Sequence, residues 1–177
     1  MGLMADLGGG PVGVDTAIFI YFIEEHPQFL PLVEPLFREV NEGRKELVAS
    51  ALTLLEVLVV PYRSGDHLLA GRYEALLTQS RGVHVADISR DHLRAAAQLR
   101  AARGVKTPDS LQVVAALAAG CTAFLTHNRD LPTIPGLRSV RQPNLAPLRY
   151  FYLAPLGESS PAPRSERSPA APVGRRV

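Results

Sequence analysis

Short apolar blocks alternate along the chain with longer blocks in which apolar residues recur every three or four positions. The short blocks predict β-strands and the longer ones predict α-helices. The predicted strands are PVGV (11–14), ELVAS (46–50), GVHVADI (82–88), CTAFLTH (121–127) and LRSVRQ (137–142). The predicted helices cover residues 16–25, 30–43, 52–63, 66–79, 91–104 and 108–120. Because strands that alternate with helices form parallel sheets covered on both faces, the pattern predicts an α/β protein.

The ends of the chain lack this pattern. Residues 1–10 are rich in glycine and predict a flexible lead, and residues 11–150 are expected to form one folded domain. Residues 151–177 are rich in proline, serine and arginine and contain few large apolar side chains, which predicts a disordered tail. We assign this tail no function beyond that of a flexible extension.

Composition and charge exclude several classes of protein. The single cysteine, Cys121, cannot form an internal disulfide, and no Cys/His cluster predicts a zinc site, so we expect a cytoplasmic protein. No apolar run is long enough to span a membrane. No glycine-rich phosphate-binding motif follows a strand. The net charge of +2 gives no case for bulk attraction to nucleic acid, so any such function needs a local site.

Acidic and polar residues follow the predicted strands. Asp15 comes directly after the first strand, and Glu56 lies one helical turn after the second. Asp109 is at the start of a helix, while Asn128 and Asp130 follow the strand CTAFLTH. Ligands of open α/β sheets bind beyond the carboxyl ends of the strands, so these side chains are expected to share one site. Clustered carboxylates are stable when they hold a hard divalent cation such as Mg²⁺ or Mn²⁺.

Each acid also has a simpler explanation in local structure. Asp15 is suited to cap the helix that follows it, and Thr53 with Glu56 forms a T-x-x-E capping box. Thr107 and Asp109 match the cap and the first turn of a helix. An aspartate before Leu-Pro, as at Asp130, is common in turns. The interpretation as a metal site therefore depends on the whole set.

Four segments in order resemble the PIN-domain family, specifically the VapC-like toxins of type II toxin–antitoxin pairs. They are VDTAIF, SALTLLEVLVVPYR, LRAARGVKTPDSLQVVAALAAGC and FLTHNRDL with IPGLRSV, and the resemblance covers about residues 12–145. It implies a three-layer α/β/α fold with a central parallel sheet of about five strands. It also implies an endoribonuclease that depends on Mg²⁺ or Mn²⁺ and cleaves RNA with a metal-activated water.

The resemblance also implies residue roles. Asp15, Glu56 and Asp109 match the first three metal-binding acids of the family. Many relatives have an aspartate at the position of Asn128; we predict that Asp130 is the fourth acid and that Asn128 positions a water or a phosphate. We also predict weaker candidates for substrate contact, and these are Thr16, Thr126, Asn128, Arg100, Arg103 and Lys106.

The implied partners are an RNA substrate, a cognate antitoxin protein and a second copy of the chain in a homodimer, with no membrane. Two alternatives stay open. One is a non-catalytic PIN module that binds RNA or a partner protein, which the asparagine at position 128 favours. The other is a phosphodiesterase that acts on DNA or nucleotides, because carboxylate–metal chemistry does not itself select ribose.

Overall fold

Seven helices and five strands make up the part of the chain that a computed structural model describes, residues 3–141. The strands are β1 (Val12–Val14), β2 (Leu47–Ser50), β3 (Val83–Ala86), β4 (Ala123–Thr126) and β5 (Arg138–Arg141). The helices are α1 (Leu3–Leu7), α2 (Thr16–Ile23), α3 (Leu30–Asn41), α4 (Ala51–Ser64), α5 (His67–Gln79), α6 (Arg90–Arg103) and α7 (Thr107–Ala118).

The strands form a single sheet in the order β3-β2-β1-β4-β5, and every pair is parallel. The predicted parallel sheet of about five strands is therefore confirmed. Side chains that alternate along the central strands pack against helices on opposite sides. Val12, Val14 and Leu125 belong to the core under α2, α3 and α5, whereas Phe124 packs with residues of α7. The three-layer α/β/α arrangement is confirmed as well.

The chain reverses its direction of growth across the sheet at β1. It adds β2 and β3 on one side, then returns through α6 and α7 to place β4 on the other side of β1. Asp15 follows β1, and its backbone N–H donates to the carbonyl of Leu125 in β4 at 3.1 Å. Ligand sites in open α/β sheets lie at such points of reversal. The fold thus directs attention to the carboxyl ends of β1 and β4.

Residues 3–10 include a helix that the sequence pattern does not predict. Residues Leu3–Leu7 form α1, and Leu7 is only 1% exposed within the main core. The Lys45 ammonium donates to the carbonyl of Gly8 just after this helix. A helix of five residues is too short to be stable alone, so packing and this hydrogen bond hold it, and neither leaves a periodic pattern. The predicted tail, residues 151–177, lies outside the described residues, as does the end of the predicted domain from residue 142.

No helix among residues 3–141 combines the length and the apolar character that a membrane crossing requires.

Candidate active site

Asp15 is buried at the junction between β1 and α2. It occupies the N-cap position of α2, but its side chain accepts no hydrogen bond from that helix. Its Oδ2 atom instead accepts hydrogen bonds from the Thr126 hydroxyl at 2.6 Å and from the His127 backbone N–H at 2.9 Å. The His127 ring nitrogen Nδ1 lies 2.7 Å from the same oxygen. The capping explanation of Asp15 is therefore wrong at the level of the side chain.

The second carboxylate oxygen of Asp15, Oδ1, is buried and has no hydrogen-bond partner among the described residues. The residue as a whole is 2% exposed. A buried carboxylate oxygen without a partner costs free energy, because folding removes its water and supplies nothing in exchange. An oxygen of this kind is a suitable ligand for a hard divalent cation.

Glu56 lies on α4, and its Oε2 atom accepts hydrogen bonds from two other elements. The Thr16 hydroxyl of α2 is one donor, and the Gln112 side-chain amide of α7 is the other, at 3.1 Å. The predicted capping box is not formed, because α4 begins one residue after Ser50, which caps it by accepting from the Leu52 N–H. Tertiary contacts with α2 and α7 therefore hold the Glu56 side chain.

Asp109 lies in the first turn of α7, whose N-cap is Lys106 and not Thr107 as predicted. Its Oδ2 atom accepts a hydrogen bond from the Asn128 side-chain amide at 3.0 Å. The other end of that amide, Oδ1, accepts from the Asp130 backbone N–H at 2.9 Å. These two bonds together fix the orientation of the amide, so Asn128 presents its NH₂ group to Asp109.

The two candidates for the fourth acidic position lie differently. Asn128 contacts Asp109 directly, whereas Asp130 is exposed and reaches this region through its backbone N–H. The hydrogen bond from the Asp130 N–H to the Asn128 side chain is the turn that an asparagine forms with the backbone two residues on, and it involves no side-chain atom of Asp130. A metal-binding role of the Asp130 side chain stays a prediction.

Burial raises the pKa of Glu56, and the charges of Asp15 and Asp109 raise it further, against the opposing hydrogen bonds from Thr16 and Gln112. Burial also raises the pKa of Asp109, to which the charge of Asp15 adds. These mutual effects show that Asp15, Glu56 and Asp109 lie within electrostatic range of one another. The structure thus brings three of the four predicted acids together.

His127 is the basic residue that contacts this acidic group. Burial lowers its pKa, but the hydrogen bond and charge of Asp15, with the charges of Asp109 and Glu56, outweigh burial and raise it. Neither His127 nor Gln112 is among the residues predicted from the sequence. A weak signal existed for each: His127 adjoins Thr126 after β4, and Gln112 lies one helical turn after Asp109.

The remaining predicted residues take varied positions. Thr16 and Thr126 are 3% and 1% exposed, and their hydroxyls are engaged with carboxylates, which disfavours the predicted contact with substrate. Arg100 is exposed and donates to the carbonyl of Val105 at 3.2 Å, just after the helix that carries it. Arg103 and Lys106 are also exposed, and the charge of Lys106 lowers the pKa of Asp109, so Lys106 lies near the acids.

The donors present suit a hard divalent cation, since they are carboxylate oxygens and one of them is buried without a partner. Within residues 3–141, however, no three His, Cys, Asp or Glu side chains already converge as the ligands of an ion would. Hydrogen bonds from Gln112 and Asn128 occupy one oxygen each of Glu56 and Asp109.

The family model of the PIN domain matches residues 12–137, and the chain belongs to this family. This match confirms the resemblance noted from the sequence. PIN nucleases are generally dependent on divalent metals. Comparison with curated protein sequences gives no match.

Solved structures with the same fold include toxins of VapBC pairs. VapBC2 from Rickettsia felis, bound to a DNA fragment of its promoter, aligns with a TM-score of 0.58 and 18% identity over 75% of this chain and 98% of that chain. VapC20 of Mycobacterium tuberculosis, described as a sarcin-ricin loop cleaving toxin, aligns with a TM-score of 0.53 and 16% identity over 65% of this chain and 87% of that chain. DNA-bound VapBC from Salmonella typhimurium aligns with a TM-score of 0.51 and 22% identity over 75% of this chain and 97% of that chain.

Proposed function

We propose that the protein is a metal-dependent endoribonuclease and the toxin of a toxin–antitoxin pair. The observation that carries the catalytic part is the buried Asp15 oxygen without a partner, within electrostatic range of Glu56 and Asp109. Three acids around one sheet edge repel each other, and a divalent cation relieves that repulsion. The toxin part draws support from the VapBC proteins that share the fold.

In this proposal Asp15 and Asp109 hold Mg²⁺ or Mn²⁺ directly, and Glu56 and Asp130 complete the acidic pocket. A divalent cation held there would supply a water of lowered pKa and would stabilise negative charge on the phosphate. Asp15 contributes through Oδ1, because Oδ2 is already occupied by Thr126 and His127.

Glu56 is the candidate for proton transfer. A general base works best when its pKa lies near the working pH, and burial raises the pKa of Glu56 in that direction. The Thr16 hydroxyl and the Gln112 amide hold the side chain in one orientation on the buried side of the pocket. Glu56 would accept a proton from the water that attacks phosphorus, while the P–O bond to one sugar oxygen breaks and that oxygen leaves and takes a proton from solvent.

Cleavage of RNA by the purified protein tests the catalytic part. We expect discrete fragments with Mn²⁺ or Mg²⁺, none with chelator, and none with Asp109→Asn. The variant should fold, because the amide oxygen of an asparagine still accepts the hydrogen bond from Asn128. Asp91→Asn is the matched control, since Asp91 pairs with Arg94 in an exposed contact that contributes little.

Intact RNA with the wild-type protein, or equal cleavage by Asp109→Asn, would contradict the proposal. Cleavage of DNA or of free nucleotides in the same assay would favour the broader phosphodiesterase.

A non-catalytic PIN module that binds RNA or a partner protein is the second candidate. The amide of Asn128 favours it, because an NH₂ group faces Asp109 where many relatives have an aspartate. Such a module would retain its affinity for RNA in chelator and in Asp109→Asn. A fluorescence anisotropy titration with labelled RNA separates the two candidates.

The antitoxin, the homodimer and a cytoplasmic location belong to the same proposal. We expect a small protein encoded beside the toxin to bind it and to suppress cleavage. Light scattering of the purified chain measures the homodimer directly, and a monomer at every concentration would contradict that part alone.

A further inference from the structure

One oxygen of Asp15 receives every hydrogen bond that the carboxylate makes with the described residues. Oδ2 contacts three groups: the Thr126 hydroxyl at 2.6 Å, the His127 backbone N–H at 2.9 Å and Nδ1 of the His127 ring at 2.7 Å. Oδ1, on the same side chain, is equally buried and has no partner. The carboxylate is thus held firmly through one oxygen while the other is left for a different ligand.

This division matches the needs of a carboxylate that binds a metal. Ligating side chains are usually fixed by hydrogen bonds from residues behind them, which orient the ligand and adjust its basicity. A carboxylate held by a single hydrogen bond can still rotate about its χ2 torsion, which is broad for aspartate. Donors from a hydroxyl, a backbone amide and a ring on one oxygen restrict that rotation.

The His127 ring is the donor that depends most on residue identity. The backbone N–H of position 127 is present whatever the side chain, and Thr126 is buried within β4. Because Oδ2 is a carboxylate acceptor, Nδ1 carries the hydrogen in this contact. The imidazole side chain is 18% exposed, so it lies between the buried aspartate and the surface.

We propose that His127 is a positioning residue for Asp15, and that its Nδ1 hydrogen bond sets the affinity of the site for a divalent cation. The inference rests on the proposed metal-dependent function and adds a residue that the resemblance did not supply. His127 acts through Asp15 and touches neither the cation nor the RNA.

Two substitutions separate the hydrogen bond from the other properties of the ring. In His127→Asn the side-chain NH₂ group takes the place of Nδ1, so the donor to Asp15 is kept. In His127→Gln the NH₂ group lies further out, near the place of Nε2, and the donor to Asp15 is lost. His127→Ala is a second variant without a donor, and His67→Gln is an exposed control on α5.

The measurement is Mn²⁺ binding by electron paramagnetic resonance of the free ion, without RNA. We expect roughly tenfold or greater weakening for His127→Gln and His127→Ala, the range found when residues behind a ligand are removed. His127→Asn should bind within about twofold of the wild type, since it retains the hydrogen bond that matters here. Thermal unfolding in chelator checks that each variant is folded.

Three outcomes would overturn the inference. Equal affinity in all variants would show that the ring does not position Asp15. Restoration by glutamine and not by asparagine would show that the outer ring nitrogen acts on the cation directly. A wild-type protein that binds no Mn²⁺ would overturn the metal-dependent function itself, and the failure of the two proposals is therefore distinguishable.

Discussion

Gly13→Ala should destabilise the fold, because no space exists for a side chain at the centre of β1. A Cβ atom at this position would lie 2.4 Å from the Ala116 Cβ of α7 and 2.7 Å from Cδ2 of Phe124 in β4. Carbon atoms normally pack about 3.5–4.0 Å apart, so each contact is short by about 1 Å. Neither neighbour can yield easily: Ala116 is 0% exposed and its Cβ moves only with its backbone.

The magnitude follows from opposing effects. Overpacking of a well-packed core costs about 1–3 kcal/mol, while replacing glycine reduces the entropy of the unfolded chain and returns about 0.4–1 kcal/mol. β1 pairs with β2 on one side and β4 on the other, so the strand cannot shift without disturbing both. Because both contacts are severe, the upper end of the overpacking cost applies, and subtracting up to about 1 kcal/mol for the entropy leaves a net loss of about 2 kcal/mol in the free energy of unfolding.

Urea denaturation followed by circular dichroism, in chelator, measures this loss. Gly71→Ala is the matched control, because Gly71 lies inside α5 and a Cβ there would meet nothing within 4 Å. The control should gain about 1 kcal/mol from the higher helix propensity of alanine. A loss below about 0.5 kcal/mol for Gly13→Ala would refute the close approach of α7 to β1.

Three further predictions concern the acidic site. The folded-state pKa values of Glu56 and Asp109 are raised above the ordinary values of 4.5 and 3.8, so the folded protein keeps protons that the unfolded chain loses. The free energy of unfolding should therefore fall as the pH rises above about 4. The pKa of His127 is raised above 6.5, so protonated His127 stabilises the fold fully below pH 6.5, and this stabilisation is lost as the pH rises further. A melting temperature that rises between pH 4.5 and 8 in chelator would contradict both predictions. Asp109→Asn should make the fall in stability above about pH 4 less steep, and it should raise the melting temperature at pH 8 even though it abolishes RNA cleavage. A lower melting temperature would show that burial does not penalise this carboxylate. Gln112→Leu should cost about 0.5–1.5 kcal/mol in urea denaturation, because the half-buried Glu56 loses one of its donors, and no loss would mean that water replaces the amide.

The elements of the fold could be predicted because they depend on short-range patterns. Apolar periodicity located all five strands and six of the seven helices to within a few residues. Asp15 could be singled out because it follows a strand and the carboxyl ends of parallel strands meet at one edge, and Asp109 because it is the acid in the first turn of a helix. The exception, α1, is too short to form without the core that Leu7 joins.

Local capping patterns did not predict the contacts of the acids, because a sequence pattern does not show which partners on other elements are also within hydrogen-bond distance. The T-x-x-E pattern at Thr53 and Glu56 satisfies a sequence rule, yet Ser50 caps the helix and Glu56 bonds to Thr16 and Gln112. The half-buried Glu56 carboxylate accepts hydrogen bonds from donors that lie near it in the folded structure, although those donors belong to other helices.

The sequence by itself determined all the strands and all the helices except α1, and on which of them the acids lie. Only the tertiary structure decided what each acid contacts, because Asp15 meets Thr126 across 111 positions of the chain and Glu56 meets Gln112 across 56. Strand order places these residues together, and it depends on the packing of the whole core. His127 follows the same rule: it becomes a candidate only when β4 is placed beside β1.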